Sequence, residues 1–254
     1  MTAQIDAKIV ILTDLHITAM GETIIGLDPS ARLNTVLEHA AQHHADAALL
    51  VAMGDLTHHG RPDEYAQLIK NMPNWTDQTP CPVTLMLGNH DRRAPYLAAF
   101  PGAATTRSGH VQTCVDLGPW RVITLDSLDD PLTGAEHSGH ICAARLDWLA
   151  ARLLEATDQR AIVFLHHPPF DTGFDGMDGI KLRNGDDLMD VLKASGRVEM
   201  LICGHVHRTI FTMFQGIPAA ILKSPCHQMP LALGPASVHL SVDEPGAYGV
   251  LLLT

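Results

Sequence analysis

The sequence predicts an α/β fold in which two β-sheets lie face to face with helices on their outer faces, a four-layer αββα sandwich. Two observations carry that expectation. Short apolar runs rich in β-branched residues alternate with helical segments through the first hundred residues, and strand-like runs dominate afterwards. An alternating βα order builds a sheet covered by helices, and the later strands ask for a second sheet packed on the first. No repeat or low-complexity linker interrupts the 254 residues, so 1–254 reads as a single domain long enough to bury a sizeable core.

The elements follow in order. KIVILT (8–13) and AALLVA (47–52) are continuous apolar runs and read as strands buried on both faces. Between them, Asp28-Pro29 supplies an N-cap and a first-turn proline for a helix over 29–44. Arg61-Pro62 opens a helix over 62–70, 82–87 is a third strand, and 93–100 a short helix. Gly118-Pro119 joins strands 111–117 and 120–125 as a hairpin. Leu146, Leu149 and Leu153 recur at helical spacing and mark the core stripe of a helix over 143–156. A strand at 161–165, a helix at 186–194 and a strand at 198–203 come next, and residues 209–254 form C-terminal strands at 209–214, 217–223, 237–242 and 248–253. The polar, Gly-rich stretch 171–185 reads as a loop of a length that is usually functional.

Composition bounds the function. With 46% hydrophobic and 18% charged residues the chain is not disordered. A net charge of −11 disfavours a nucleic-acid polymer as partner, which would want a basic stripe. It leaves room for a small phosphate ester, because bound metal makes a local positive well in an acidic protein. Five scattered cysteines without a CxxC make no disulfide framework and suit a reducing compartment. No charged-then-apolar leader opens the chain, and no apolar run reaches the ~18 residues of a membrane span. A cytoplasmic protein without a membrane partner is the expectation.

The chemistry sits just past the strands. The first runs into Asp14-Leu15-His16, the second into Gly54-Asp55, and the third into Gly88-Asn89-His90-Asp91. The strand at 161–165 runs into His166, and that at 198–203 into Gly204-His205-Val206-His207. The carboxyl ends of strands form the ligand mouth of α/β architectures, and neighbouring strands lie only ~4.8 Å apart. Asp14 with His16, and His205 with His207, would face one way in extended backbone. Glycine at 54, 88 and 204 would let the backbone turn sharply and approach an ion. Two Asp, one Asn and four His, with no thiolate, suit two ions of Mn, Fe or Zn if one carboxylate bridges. Such a pair clamps a phosphoryl group.

The ordered pattern D-x-H, G-D, G-N-H-D, H, G-H-x-H across residues 14–207 resembles the calcineurin-like metallophosphoesterases. Gly54-Asp55-Leu56 with Gly60-Arg61-Pro62, His166-His167-Pro168-Pro169, and Met177-Asp178 leading to Asn184-Gly185 look like the bacterial class III cyclic-nucleotide phosphodiesterase and glycerophosphodiesterase branch. The resemblance implies that Asp14, His16 and His207 bind a first metal, that Asn89, His166 and His205 bind a second, and that Asp55 bridges them. It implies attack on phosphorus by a hydroxide between the metals, whose water has its pKa lowered from 15.7 to roughly 7. It places His90 beside the metals to steady the phosphate and protonate the leaving alkoxide, with Asp91 orienting His90 or a ligand.

Around that core, His58 and His227 are candidate substrate contacts, while His167 and the cysteines read as structural. The implied function is a phosphodiesterase on a small-molecule diester, a cyclic nucleotide or a glycerophosphodiester. A phosphomonoesterase on nucleotides or phosphoproteins shares the same core and stays open as the alternative. A non-catalytic metal-binding scaffold would have no need of every ligand and His90, and all are present. The resemblance also implies a homodimer or higher homo-oligomer.

Overall fold

The computed structural model describes residues 5–79, 81–155, 158–235 and 240–254. A four-stranded sheet has the order β10-β1-β2-β3, formed by β1 (Ala7–Leu12), β2 (Leu49–Met53), β3 (Val83–Met86) and β10 (Gly249–Leu253). A six-stranded sheet has the order β4-β5-β6-β7-β9-β8. Its strands are β4 (Thr113–Leu117), β5 (Trp120–Leu125), β6 (Arg160–Leu165), β7 (Val198–Cys203), β8 (Ile210–Phe214) and β9 (Ile217–Ile221). β1, β2 and β3 run parallel, as do β5, β6, β7 and β9, while β10 pairs antiparallel with β1.

Alternation along the strands builds the layers. Ile9, Ile11, Val51 and Met53 meet Val122, Ile162, Phe164 and Ile202 in the core between the sheets. The alternate residues Val10, Leu12, Leu50 and Ala52 pack with Leu33, Leu37 and Ala40 of α1 (Pro29–His43) and with Tyr65 and Leu68 of α2 (Pro62–Asn71). On the far side Ile123, Val163, Leu165 and Leu201 pack with Leu149 and Leu153 of α5 (Ala143–Glu155) and Leu188 and Leu192 of α7 (Gly185–Ser195). Both faces of each central strand are buried, which is why those strands read as unbroken apolar runs. Each fully buried Leu, Ile or Val contributes ~1.5–3 kcal/mol.

Some local expectations change. A turn of helix, α3 (Pro73–Thr76), follows α2, and α4 spans Arg93–Ala99. The stretch 171–185 is not all loop: it holds α6 (Asp175–Asp178), whose Asp178 accepts from Thr172 N–H and Oγ–H, both at 2.7 Å, and from Gly173 N–H at 3.0 Å. Of the strand expected at 237–242, residues 237–239 lie outside the described residues, and Val242 makes an isolated bridge with Gln228. Residue 156, the expected end of the helix at 143–156, also lies outside them. All five cysteines are free. Among the described residues, no helix is long and apolar enough to cross a membrane.

Candidate metal centre

The seven side chains predicted from strand ends come together. Asp14 and His16 follow β1, Asp55 follows β2 and Asn89 follows β3, while His166 follows β6 and His205 and His207 follow β7. The cluster therefore forms where the carboxyl ends of the two sheets meet.

The way the backbone delivers them differs from expectation. It is not extended: φ is 55° at Asp14, 48° at His16, 46° at Asp55, 71° at His205 and 53° at His207. Each such residue costs on the order of 1–3 kcal/mol and persists when its surroundings over-determine it. Here Asp14 N–H donates to Gly54 O (3.1 Å) and His16 N–H to Asp55 O (2.8 Å). His205 N–H lies 3.1 Å from each oxygen of Asp14. Two glycines make room. Gly54 turns the chain at φ 88°, and a Cβ on Gly88 would sit 2.3 Å from Asp55 Oδ1 and 2.7 Å from His166 Nε2.

Two sets of donor atoms result. Asp14, His16, Asp55 and His207 present ligand atoms all within 4.8 Å of one another. Within this set His207 Nε2 is 3.2 Å from Asp14 Oδ1 and 3.1 Å from His16 Nε2. In the second set Asn89 Oδ1 lies 3.2 Å from His166 Nε2 and 2.9 Å from His205 Nδ1. Asp55 Oδ2 stands between them, 3.6 Å from His16 Nε2 and 3.4 Å from His166 Nε2.

The ring hydrogens are committed elsewhere. His166 Nδ1–H donates to Met53 O (2.8 Å) and His207 Nδ1–H to His227 O (2.9 Å). Each ring then aims its Nε2 into the cluster, the arrangement that orients a metal-binding histidine. Asn89 donates Nδ2–H to His137 Nδ1 (3.0 Å), which turns its Oδ1 towards the histidines. Converging imidazole nitrogens, carboxylate oxygens and an amide oxygen, all buried, fit divalent cations. Burial, and then the charge on His90, hold His16 well below the usual histidine range. Burial followed by the charge on His167 does the same to His205. Burial opposes charging of His166 as well, but the Asp55 carboxylate outweighs it and lifts that ring to about 9.

The remaining predicted residues surround this cluster. The His90 ring is stacked between His58 (5.3 Å, 10°) and His137 (5.0 Å, 25°). Its Nδ1–H donates to His58 O at 2.8 Å. His58 also sets its Nδ1 3.1 Å from His16 Nδ1, and the His227 ring lies 4.7 Å from that of His207. Asp91 does not reach the His90 ring. Its carboxylate accepts from Leu56 N, Thr57 N, Gly88 N, Thr57 Oγ and Tyr65 Oη at 3.0–3.2 Å. It thereby ties the segment after β2 to the segment after β3. Burial and the nearby Asp55 charge push it up to about 6. His167 donates Nε2–H to His137 O (3.2 Å) and pairs with Ser127 Oγ (2.8 Å), so it supports the site from behind. His137 itself was not singled out in the sequence. It stands in a loop with no motif, and its φ of 65° has no sequence signature.

A cavity of about 340 Å³ opens over the cluster, with His58, His90, His137 and His227 on its walls. Ile24, Ile25, Met177, Ile180, Met229 and Leu240 also line it, and among the described residues no Lys, Arg or Glu does.

The fold and this centre define a phosphoesterase of the two-sheet type. The calcineurin-like phosphoesterase family matches residues 7–209, and the chain belongs to that family. It is similar to a probable cyclic nucleotide phosphodiesterase of Rhodopseudomonas palustris, at 38% identity over 87% of this chain and 79% of the relative. It is also 31% identical to the 3′,5′-cyclic adenosine monophosphate phosphodiesterase CpdA of Pseudomonas aeruginosa, over 96% of this chain and 86% of that protein. In fold it resembles a dimetal phosphatase from Danio rerio, with a TM-score of 0.73 at 16% identity, covering 98% of this chain and 93% of that one.

Proposed function

We propose that this protein is a dinuclear-metal phosphodiesterase acting on small diesters, with 3′,5′-cyclic nucleotides foremost. The observation that carries the reading is Asp55 Oδ2 held between two donor sets, one of Asp14, His16 and His207 and the other of Asn89, His166 and His205. In this reading those residues hold two divalent ions of Mn, Fe or Zn, which supply Lewis-acid charge and an activated water when bound. Asp55 keeps Oδ1 on the His90 backbone N–H, which sets the direction of Oδ2, and Asp14 takes the His205 backbone N–H between its two oxygens. His90 has Nδ1–H fixed on the His58 carbonyl, so Nε2 is the nitrogen that exchanges a proton with the bound ester. As the P–O ester bond breaks, His90 gives that proton to the leaving alkoxide, and the rings of His58 and His137 hold its plane.

The cavity lining favours a diester over a monoester. A diester carries one negative charge and a second organic group, and it asks for little cationic side-chain charge beyond the metals. The relative named a 3′,5′-cyclic adenosine monophosphate phosphodiesterase supports a cyclic nucleotide as that diester. A panel on Mn²⁺-loaded protein tests the reading by comparing kcat/KM for a 3′,5′-cyclic nucleotide, a 2′,3′-cyclic nucleotide, a glycerophosphodiester and a matched monoester. The expected result is faster turnover of at least one diester than of the monoester. Equal or better turnover of the monoester would replace it with the phosphatase reading.

A further inference from the structure

Among the described residues, eight non-glycine positions have positive φ. Asp14, His16, Asp55, His205 and His207 belong to the metal centre, His137 stands on the cavity wall, and Gln215 makes the turn between β8 and β9. The eighth is Ile25, at φ 46°. Ile24 and Leu27 exchange both backbone hydrogen bonds (2.9 and 2.8 Å) and close a two-residue turn whose tip is Ile25-Gly26. Both tip residues have positive φ, a turn that favours Asn-Gly or Gly-Gly. A β-branched residue there is an outlier.

The two backbone hydrogen bonds close the turn, but the Ile25 side chain gains little from the described core. Ile25 is 52% exposed, so its side chain is not part of the chain's own core. It does line the cavity over the metal centre, together with Ile24, Met177, Ile180, Met229 and Leu240. These residues come from three separate stretches of chain: the turn after β1, the segment around α6, and the C-terminal stretch before β10. Leu240 is also left 43% exposed. The cavity therefore combines histidines, Asp55 and Asn89 with an apolar set that includes the exposed Ile25 and Leu240. A volume of about 340 Å³ lies at the small end of the ~300–1,000 Å³ of small-molecule sites.

We infer that the turn at Ile24–Leu27 is a specificity element. Ile25, with Met177, Met229 and Leu240 of the same cavity lining, receives the uncharged organic group of the substrate, of nucleobase size. They select against diesters whose second group is charged. The inference rests on the phosphodiesterase reading of the same centre, and extends it from the phosphate to the group the phosphate carries. Apolar walls gain by excluding water from a flat or alkyl group, whereas a charged head group entering them is desolvated without a partner.

The substitution Ile25→Gly separates this role from a structural one, because glycine removes the side chain and relaxes the turn. On Mn²⁺-loaded protein, the ratio of kcat/KM for 3′,5′-cyclic AMP to that for glycerophosphocholine should fall about fivefold or more in the variant, the loss of one half-buried apolar contact. Its Tm should stay level or rise. Leu240→Ser, in the same cavity lining but in a separate stretch of chain, should lower the same ratio. Calorimetric Kd values for AMP and glycerol 3-phosphate share the phosphate and read the clamp without turnover. The wild type should favour AMP, and Ile25→Gly should narrow the gap. If both ratios are unchanged in both variants, the inference is overturned while the diesterase reading stands. If no diester turns over but the AMP preference is present and narrows in Ile25→Gly, the clamp stands and the diesterase reading falls.

Discussion

Asp91 is fully buried, stands outside the cavity lining, and collects five donors from two strand-end segments and from α2. Replacing it with alanine leaves buried N–H and O–H groups without acceptors beside residues held in strained backbone. Such groups cost about 1–3 kcal/mol each, with partial relief as the site relaxes. Asp91→Ala should lose about 3–5 kcal/mol in urea unfolding, and Asp91→Asn, which keeps one acceptor oxygen, should lose less. A change below 1 kcal/mol in Asp91→Ala would remove its positioning role. At this scale the sequence was informative wherever a polar residue followed an apolar run, so that Asp14, Asp55, Asn89, His166, His205 and His207 could be read directly. His137 could not, because it reaches Asn89 from a loop without periodicity or motif. The left-handed backbone at five of the seven positions was equally hidden, since it is imposed by contacts with distant strands such as Asp14 N–H to Gly54 O.

Between β7 and β8, the segment bearing His205 and His207 is anchored by its neighbour Arg208. The Arg208 guanidinium pairs with both oxygens of Glu244 at 2.8 Å and also donates to Met229 O, and Lys223 reaches Glu244 at 3.1 Å. These hydrogen bonds pull the Glu244 carboxyl down to about 2. A depressed carboxylate contributes stability that is fully present above its unfolded pKa of ~4.3 and is lost as pH falls through the folded value. The stability of wild type relative to Glu244→Gln should therefore shrink between about pH 4.5 and 2, measured by urea unfolding of metal-free protein. A constant difference across that range would contradict the assignment. Elements with strong local signals were legible: Asp28 caps α1 by accepting from Ser30 N–H (2.9 Å), and Gly118 turns β4 into β5 at φ 60°. The helical turn α6 was not, because so short a segment shows no periodicity and is held by Asp178 bonding to Thr172 and Gly173 and by Asp175 N–H on the distant Gly234 O.

Over the whole molecule, each sheet brings part of the centre, and the contact between their strand ends completes it. Strand partition was beyond the sequence: β9 enters between β7 and β8, and β10 returns to pair with β1, choices made by long-range packing. A centre shared by two sheets should cross-brace them when metal is bound. Ligand binding to the native state at ~100 times Kd contributes about 2.7 kcal/mol, which for a chain of this size is roughly 5–10 °C in Tm. Chelation by EDTA should lower Tm by that order, and Mn²⁺ should restore it. An unchanged Tm would mean that bound metal does not link the sheets.

Asp55 is proposed to join two metal sites into one hydrolytic centre. The most direct measurement counts Mn²⁺ per chain in wild type and Asp55→Ala and assays both on bis(p-nitrophenyl) phosphate. Two ions in the wild type, one or none bound with comparable affinity in the variant, and a loss of kcat/KM on the order of 10³-fold or more are predicted. Two ions retained at wild-type affinity in Asp55→Ala, or turnover undiminished, would contradict it.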